Sequence, residues 1–362
     1  MVVSKKKNSE QAESTGAESA AVPEKLLCYV TDELPGIRRK RWGRGFSYFD
    51  PEGNRIQDTS VLKRVRSLVI PPAWEDVWIC ANPQGHIQAT GRDRKHRKQY
   101  IYHPRWGEVQ NQTKFDRLYE FGRALSGIRD AVDSDMKKHD MSRERVLAVV
   151  VALLDEAKFR IGNPEYRRQN NSYGLTTLRN RHVDVSATKI RIEFKGKRGK
   201  TLVKEVSNRR LARQIGKCQD LPGQELFQFI DDQGQRQPIR SEDVNEYIRE
   251  ISGSDFTAKT FRTWWGTVLM AEELYKVSIL EEKTGRGKPT TKPLKRVAKA
   301  LGNTTTICRK YYIHPLVFEA FEAGWLERVF EDAEQEAEET DAPLSRAELA
   351  VLDLLRSADA PI

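Results

Sequence analysis

The sequence predicts an α+β protein: a small β-rich N-terminal domain, then a larger, mostly α-helical domain that contains a three-stranded β-hairpin sheet. Two patterns support this prediction. Short apolar segments separated by turn residues fill positions 24–108, which is typical of strands. Beyond about residue 112, apolar residues recur at i, i+3, i+4 and i+7, the period of an amphipathic helix. With 362 residues, the chain is long enough for two hydrophobic cores.

Three strand-and-turn segments predict the N-terminal domain. FSYFDPEGNRI contains an aromatic strand, a turn at 51–54 and a renewed strand, and VWICANPQGHIQATG repeats this form around a turn at 82–85. QYIYH follows a basic run, GRDRKHRK, at 91–98. We expect four tryptophans to supply the core of this domain: Trp42, Trp74, Trp78 and Trp106.

The helical domain is predicted to begin with two amphipathic helices, LYEFGRALSGIRDAVDSDMK and SRERVLAVVVALLDEAKFRIG, the second capped by Ser142. Three alternating segments follow: HVDVS, TKIRIEFKG and KTLVKEVS. Each has the pattern of a half-buried strand, and the turn GKRG at 196–199 places Lys197 at a hairpin tip. Helices resume from about 208 to 326, interrupted by a basic loop predicted at 285–293.

Both ends of the chain differ in composition from the middle. Residues 1–23 are polar and are expected to form a disordered tail. After Phe330 the sequence predicts an acidic linker and then an amphipathic helix, which Ser345 and Glu348 begin as a capping box. We therefore divide the chain into a tail (1–23), a β-rich domain (24–108), a helical domain (109–330) and an acidic linker with a terminal helix (331–362).

The charge distribution points to a polyanionic partner. The chain has a net charge of +10, but residues 327–362 alone carry −8, so residues 24–326 carry +18. A folded core with that surplus attracts nucleic acid. The four cysteines have no CxxC spacing and the histidines have no metal-ligand spacing, so we expect no disulfide, metal or cofactor. No apolar run approaches the ~20 residues of a membrane span, and a cytoplasmic location is expected.

Four short motifs suggest the chemistry. RIGNPEY begins at Arg160, FKGKRGK contains Lys197, RTWWGT begins at Arg262, and RKYYIHP spans 309–315. A tyrosine can attack a phosphodiester if fixed donors stabilise the charge on the non-bridging oxygens, and arginine holds two such oxygens at once. A lysine on a turn could protonate the leaving oxygen. Each residue also has an ordinary structural interpretation, and the two tyrosines of RKYYIHP are equivalent on composition.

Together the four motifs resemble the type IB DNA topoisomerases, specifically the compact poxvirus-like form found in bacteria, and the resemblance covers most of residues 26–326. It implies the DNA breaking-rejoining enzyme fold and assigns catalytic roles to Arg160, Lys197, Arg262 and Tyr312. Asn303 occupies the position, nine residues before the nucleophile, where many relatives have a histidine that contacts a non-bridging oxygen. An amide can still donate one hydrogen bond there.

The resemblance also implies a mechanism and a partner. Tyr312 would form a 3′-phosphotyrosine, the free strand would swivel, and the released 5′ hydroxyl would reseal the strand without ATP or metal. The family closes around double-stranded DNA as a clamp, so a monomer associated with the nucleoid is expected. Lys259 lies where the family approaches the scissile phosphate. Further DNA contacts are expected in the N-terminal domain from Arg92, Lys95, Arg97, Tyr100 and Tyr102.

Two alternatives were weighed. A tyrosine recombinase or integrase shares the catalytic chemistry, but that family carries His-x-x-Arg at the second arginine, where this chain has Lys259-Thr260-Phe261-Arg262. The β-rich N-terminal domain also favours a topoisomerase. A DNA-binding protein without catalysis would need the basic surface and would not need Tyr312.

Overall fold

A computed structural model of the chain describes residues 27–107, 114–138, 140–196, 199–284, 290–339 and 343–359. Lys197 and the polar tail at 1–23 lie outside these residues. The chain divides into two compact units, residues 1–110 and 111–362. Within the described residues, none of the helices has both the length and the apolar content needed to cross a bilayer.

The first unit is built on an antiparallel sheet with the strand order β2-β1-β3-β4-β5. Its strands are β1 (Ile37–Trp42), β2 (Gly45–Phe49), β3 (Glu75–Ile79), β4 (Ile87–Arg92) and β5 (Lys98–Tyr102). Five buried residues form the centre of its core: Ile37, Val65, Val77, Ile79 and Ala89. The strands expected from the last two sequence segments are therefore confirmed, and the renewed strand after the turn at 51–54 is reduced to a single bridge between Phe49 and Arg55.

Two details of this unit differ from the prediction. A helix, α1 (Thr59–Ser67), lies where only strands were expected; Asp58 caps it by accepting from the backbone of Ser60 and Val61. Trp78 and Trp106 are buried as expected, but Trp42 is 65% exposed. Trp42 ends β1 at the β1–β2 turn, where the ring has the guanidinium of Arg55 beside it and no core to enter.

Helices make up most of the second unit. In chain order they are α2 (Leu118–Asp135), α3 (Arg143–Ala157), α4 (Pro164–Asn170), α5 (Arg209–Asp220), α6 (Ser241–Ser252), α7 (Ala258–Thr284), α8 (Thr291–Ala300), α9 (Thr305–Tyr311), α10 (Leu316–Ala323), α11 (Leu326–Glu339) and α12 (Arg346–Asp359). The expected helix start at Ser142 is confirmed, because its side chain accepts from the backbone N–H of Arg145. One extended apolar cluster joins these helices.

The three alternating segments form the predicted sheet, β6 (Val183–Val185), β7 (Lys189–Lys195) and β8 (Thr201–Ser207). Ile190, Ile192 and Phe194 alternate as buried residues along β7 and enter the core. The register of β7 and β8 closes at Lys195 opposite Thr201. The last paired residues of the hairpin, Lys195 and Thr201, therefore flank the segment that contains Lys197.

Other departures lie in the later part of the chain. A two-stranded ribbon, β9 (Gln228–Ile230) with β10 (Arg236–Pro238), interrupts the helices expected from 208 onward. Helix α8 begins at Thr291, inside the segment predicted as a basic loop, while 285–289 lie outside the described residues. The acidic stretch expected as a linker is helical, since α11 continues to Glu339. The capping box is confirmed by Glu348 Oε2, which accepts from both the N–H and the hydroxyl of Ser345 at 2.9 Å.

Candidate active site

The end of helix α3 forms the floor of the site. Lys158 caps this helix in the left-handed conformation, with φ 58° and ψ 31°, and its N–H bonds Leu154 O at 3.0 Å. A non-glycine residue pays roughly 1–2 kcal/mol for this conformation, so its surroundings must hold it. The Lys158 ammonium lies 3.9 Å from the centre of the Trp265 ring and donates to Glu156 O at 3.0 Å. The turn carries the chain directly to Arg160.

Arg262 lies in the first turns of α7 and is 5% exposed. Its Nη1 donates to Lys158 O at 2.5 Å and its Nη2 to Leu301 O at 2.7 Å. Burial, and then the positive charge of Arg160, lower the pKa of Arg262, but an arginine stays protonated in proteins. Both acceptors are neutral carbonyl oxygens, so these bonds orient the guanidinium without cancelling its charge.

Arg160 and Asn303 orient each other. Arg160 Nη2 donates to Gly302 O at 2.9 Å and to the side-chain oxygen of Asn303. Because a guanidinium can only donate, the Asn303 oxygen must face it, and the amide nitrogen faces away. Among the described residues, Asn303 Nδ2 and Arg262 Nε are buried donors that have no acceptor. The site therefore holds unused donors next to two positive charges.

Tyr312 and Tyr311 have different surroundings. Tyr312 follows α9, and its ring centre lies 5.3 Å from the Arg262 guanidinium carbon. The Tyr312 side chain also acts on the pKa of Arg160, opposing the lowering caused by burial. Tyr311 presents its carbonyl oxygen to Lys114 Nζ at 2.6 Å, and its ring lies 5.5 Å from Lys310 Nζ. Tyr311 and Tyr312, which the sequence alone does not distinguish, therefore have different environments, and Tyr312 is the one beside the arginines.

Helix α7 also holds the segment that carries Tyr312. A Cβ atom at Gly266 would lie only 2.1 Å from Tyr312 O, so the two backbones meet at a position where only glycine fits. One residue on, Thr267 Oγ1 accepts from the backbone N–H of His314 at 3.1 Å. The RTWWGT motif therefore supplies both a guanidinium and the contact surface for the tyrosine segment.

The β7–β8 turn lies at the same site. A cavity of about 590 Å³ is bordered by Arg160 on one side and by Gly196 and Gly199 on the other. Gly199 adopts φ +70°, and Gly196 donates to Lys200 O at 2.8 Å. Lys197 itself lies outside the described residues, but the glycines on either side of it face the cavity that Arg160 lines.

Two half-buried lysines near the site were missed by sequence reasoning. Lys204, on β8, donates to Ala157 O, and burial followed by the charges of Lys158 and Arg262 lowers its pKa to about 7. Burial followed by the charge of Lys259 lowers the pKa of Lys114 to about 7 as well. Lys204 lies at an inward position of β8, where the alternation of the strand would place an apolar residue. A lysine at that position is the signal that could have identified it.

The remaining predicted residues are less enclosed. Lys259 is exposed, one helical turn before Arg262 on α7. In the first unit, Tyr100 and Tyr102 are stacked at 5.8 Å and are 43% and 47% exposed. Arg92 and Lys95 are exposed. Arg97 is held by Asp93 at 2.7 Å within its own turn, so part of its charge is already compensated.

Comparisons with known proteins place the chain in a family. Residues 97–338 match the family model described as eukaryotic DNA topoisomerase I, catalytic core, and residues 45–93 match the N-terminal domain of bacterial DNA topoisomerase IB. The chain belongs to the type IB DNA topoisomerases. The matched core contains Arg160, Arg262, Asn303 and Tyr312. This type IB topoisomerase is therefore an isomerase.

Individual relatives agree with this assignment. The chain is 32% identical over 298 residues to DNA topoisomerase 1B of Acanthamoeba polyphaga mimivirus, covering 80% of this chain and 88% of that protein. It is 26% identical to DNA topoisomerase 1B of Vaccinia virus over 64% of this chain and 71% of the viral protein. Among solved structures, the XerH site-specific recombinase bound to difH is 14% identical over 67% of this chain and 59% of that one, with a TM-score of 0.35, too loose a likeness to carry an argument.

Among the described residues, no cluster of three or more histidine, cysteine, aspartate or glutamate side chains could hold a metal ion. The positive charges of the site come from Arg160, Arg262 and Lys158, with Lys204 beside them. Among the described residues, the oxygens that accept hydrogen bonds from these four side chains are neutral: the carbonyls of Ala157, Glu156, Lys158, Leu301 and Gly302, and the Asn303 amide. The arrangement is suited to a phosphate group, since an anion would complete it.

Proposed function

We propose that this type IB topoisomerase relaxes supercoiled DNA by cutting one strand with Tyr312 and resealing it. The supporting observation is the position of the Tyr312 ring, 5.3 Å from a buried guanidinium whose hydrogen bonds, among the described residues, go to neutral carbonyl oxygens. In the proposed step, the Tyr312 oxygen bonds the scissile phosphorus and the bond to the 5′ oxygen breaks. The product is a 3′-phosphotyrosine and a free 5′ hydroxyl.

In this proposal the arginines stabilise the transition state. In the transition state, the bonds from phosphorus to the tyrosine oxygen and to the 5′ oxygen are both partial, and extra negative charge lies on the non-bridging oxygens. Fixed donors lower the barrier by stabilising that charge. Arg160 and Arg262 are held by backbone carbonyls before DNA arrives, so little reorganisation is needed. Loss of one such donor typically costs ~3–4 kcal/mol in barrier. Asn303 Nδ2 is proposed to donate to a non-bridging oxygen, as the histidine does in many relatives.

The leaving oxygen needs a proton, and we assign that role to Lys197. The turn that carries it is bounded by Gly196 and Gly199, which line the same cavity as Arg160. After cleavage the strand rotates about its intact partner and the 5′ hydroxyl attacks the phosphotyrosine, returning the tyrosine. The bond energy is stored in the covalent link, so the cycle needs no ATP.

The DNA path is proposed to include the first unit. Its exposed basic and aromatic residues would contact phosphates and sugars, chiefly Arg92, Lys95, Tyr100 and Tyr102, with Lys259 near the scissile phosphate. Arg97 contributes less because Asp93 already binds it. We propose residues 24–108 as the clamp domain and 109–330 as the catalytic domain of a monomeric enzyme that works at the nucleoid in the cytoplasm.

The proposal is tested by plasmid relaxation in EDTA without ATP. The wild-type enzyme should remove supercoils, and Tyr312→Phe should leave them. Tyr311→Phe is the matched control, one residue away, and should retain activity because the Tyr311 ring lies beside Lys310, whereas the Tyr312 ring lies beside Arg262. Relaxation by Tyr312→Phe at the wild-type rate would show that the nucleophile is another residue.

A further inference from the structure

The C-terminal helix α12 lies beyond residue 338, where the match to the catalytic core ends. It is nevertheless integrated into the second unit. Leu349, Ala350, Val351, Leu354 and Leu355 are buried in the same apolar cluster as the catalytic helices. Its first turn also places a carboxylate, Glu348, only 2% exposed. A buried carboxylate requires partners, and those partners lead towards the active site.

Arg129 of α2 is the first partner. Its Nη2 donates to Glu348 Oε1 at 2.7 Å, while its Nε donates to Asp155 Oδ2 at 2.9 Å. Burial alone would raise the pKa of Glu348, but the hydrogen bond and charge of Arg129 outweigh it and the pKa lies below the ordinary value. Glu348 is therefore charged, and it fixes a guanidinium that in turn fixes Asp155.

Asp155 connects this pair to the floor of the active site. Its second oxygen, Oδ1, accepts from Trp265 Nε1 at 2.8 Å, which locks the orientation of the indole ring. That ring supports the Lys158 ammonium at 3.9 Å. Lys158 is the left-handed residue whose carbonyl oxygen accepts from Arg262. An unbroken series of contacts thus runs from the C-terminal helix to a catalytic arginine.

We propose that Glu348 is a positioning residue for DNA cleavage, acting on Arg262 from the C-terminal helix. It touches neither the proposed nucleophile nor a phosphate. Its effect is to keep the Trp265 ring, and hence the Lys158 turn, in the one arrangement that aims the guanidinium. A shift of about 1 Å at a catalytic group can cost on the order of a hundredfold in rate, so a remote carboxylate can matter to the reaction.

Two conservative substitutions each remove one contact of the series that runs from Glu348 to Arg262. Glu348→Gln removes the charge that fixes Arg129. Trp265→Phe keeps an aromatic ring under Lys158 and removes only the N–H that Asp155 accepts. The matched control is Arg356→Gln on the same helix, because Arg356 is exposed and its ion pair among the described residues is with Asp353, three residues earlier on α12, at 2.8 Å. Thermal unfolding of each variant would show whether it remains folded.

The readout is the rate at which excess full-length enzyme forms the covalent adduct on a labelled duplex that wild type cleaves. We expect Glu348→Gln and Trp265→Phe each to slow adduct formation about tenfold to a hundredfold, with Arg356→Gln at the wild-type rate. Affinity for the same duplex, measured in a Tyr312→Phe background, should change less than about twofold.

A double-mutant cycle separates positioning from general loosening of the fold. If Glu348 acts through Arg262, Glu348→Gln should change the residual rate of Arg262→Ala less than about twofold. The same loss in both backgrounds, or a wild-type rate for Glu348→Gln, would overturn the inference. The inference rests on the proposed function, and the same assay tests that function separately. Formation of a covalent adduct by Tyr312→Phe would refute the proposed function, whatever the rate of adduct formation by Glu348→Gln.

Discussion

At the scale of single residues, two buried hydrogen-bond donors that lack acceptors in the described part of the chain are the feature that most favours an anion in the site. Arg262 Nε and Asn303 Nδ2 are buried without an acceptor among the described residues, and each such group costs about 1–3 kcal/mol. An anion in the site would supply acceptors for both donors. The Asn303 amide is already turned by Arg160 so that its nitrogen is the group available to donate.

Gly266 gives the first prediction at this scale. Gly266→Ala should slow cleavage at least about a hundredfold, because the added Cβ would fall 2.1 Å from Tyr312 O and must displace Tyr312, the proposed nucleophile. The measurement is adduct formation under single-turnover conditions. DNA affinity should change little, since the basic surface is untouched.

The control for Gly266→Ala is Gly127→Ala, an exposed glycine of α2 with nothing within 4 Å of an added Cβ. That substitution should leave cleavage unchanged and stabilise the helix by up to about 1 kcal/mol. Wild-type cleavage by Gly266→Ala would mean that the tyrosine segment does not depend on this contact.

Lys204 gives a second prediction, concerning protons. Its pKa is about 7 in the folded protein, against 10.5 for the ordinary side chain. Between those values the unfolded chain binds a proton that the folded protein does not, so stability rises with pH through this window. A nearby phosphate favours the charged form, and DNA binding at pH 8 should therefore take up about one proton at this residue.

Proton uptake is measured by calorimetry of Tyr312→Phe binding to a duplex in buffers of different ionisation enthalpy. Lys204→Met should reduce the uptake by about one proton, relative to the same protein with Lys204 intact. Equal uptake with and without the lysine would show that Lys204 does not respond to the bound phosphate.

At the scale of elements, the β7–β8 hairpin is the element that carries the proposed general acid, Lys197. Its strands are in register up to Lys195 and Thr201, and Gly199 adopts a left-handed conformation in the turn. Under the proposed function, a short, glycine-bounded turn would let Lys197 reach the leaving oxygen from a fixed base. Burial of Ile190, Ile192 and Phe194 anchors that base in the core.

Lys197→Ala tests the assignment of the acid. It should slow cleavage of ordinary DNA by roughly 10²–10⁴-fold, the usual contribution of a general acid. A duplex in which sulfur replaces the bridging 5′ oxygen should be cleaved nearly as fast by Lys197→Ala as by wild type, because a thiolate leaves without a proton. An equal loss on both substrates would assign Lys197 to phosphate binding instead of proton transfer.

Much of this element structure was predictable because the signals are local. The alternation in TKIRIEFKG specifies β7, and the Ser142 and Ser345 caps mark the helix starts. The β9–β10 ribbon was missed because β10 reads Arg-Gln-Pro, with none of the β-branched or aromatic residues that mark a strand. Helix α1 was missed because its nine residues lie among strands.

The candidate site was predictable to the level of motifs and not of contacts. Arg160, Arg262, Asn303 and Tyr312 are brought together, as the resemblance implied, although their roles remain predictions. The series from Glu348 to Lys158 could not be read from sequence, since Arg129 and Glu348 are 219 positions apart. Pairings at that separation are set by helix packing, and no local pattern records them.

At the scale of the whole molecule, charge is divided along the chain. Residues 24–326 carry +18 and residues 327–362 carry −8. Binding that relies on many phosphate contacts releases counterions and weakens steeply with salt. We expect duplex affinity to fall about 10³-fold or more between 50 and 200 mM salt, measured by anisotropy with Tyr312→Phe; a loss below about tenfold would contradict a clamp that follows the backbone.

The measurement that tests the central claim most directly is the polarity of the trapped adduct. A plasmid reaction in EDTA is denatured partway, the DNA is digested, and the attached peptide and DNA end are identified. We expect a peptide containing Tyr312 joined to a 3′ phosphate, with a free 5′ hydroxyl across the break. A 5′-linked adduct, or a 3′ link to a peptide in which another residue carries the DNA, would contradict it.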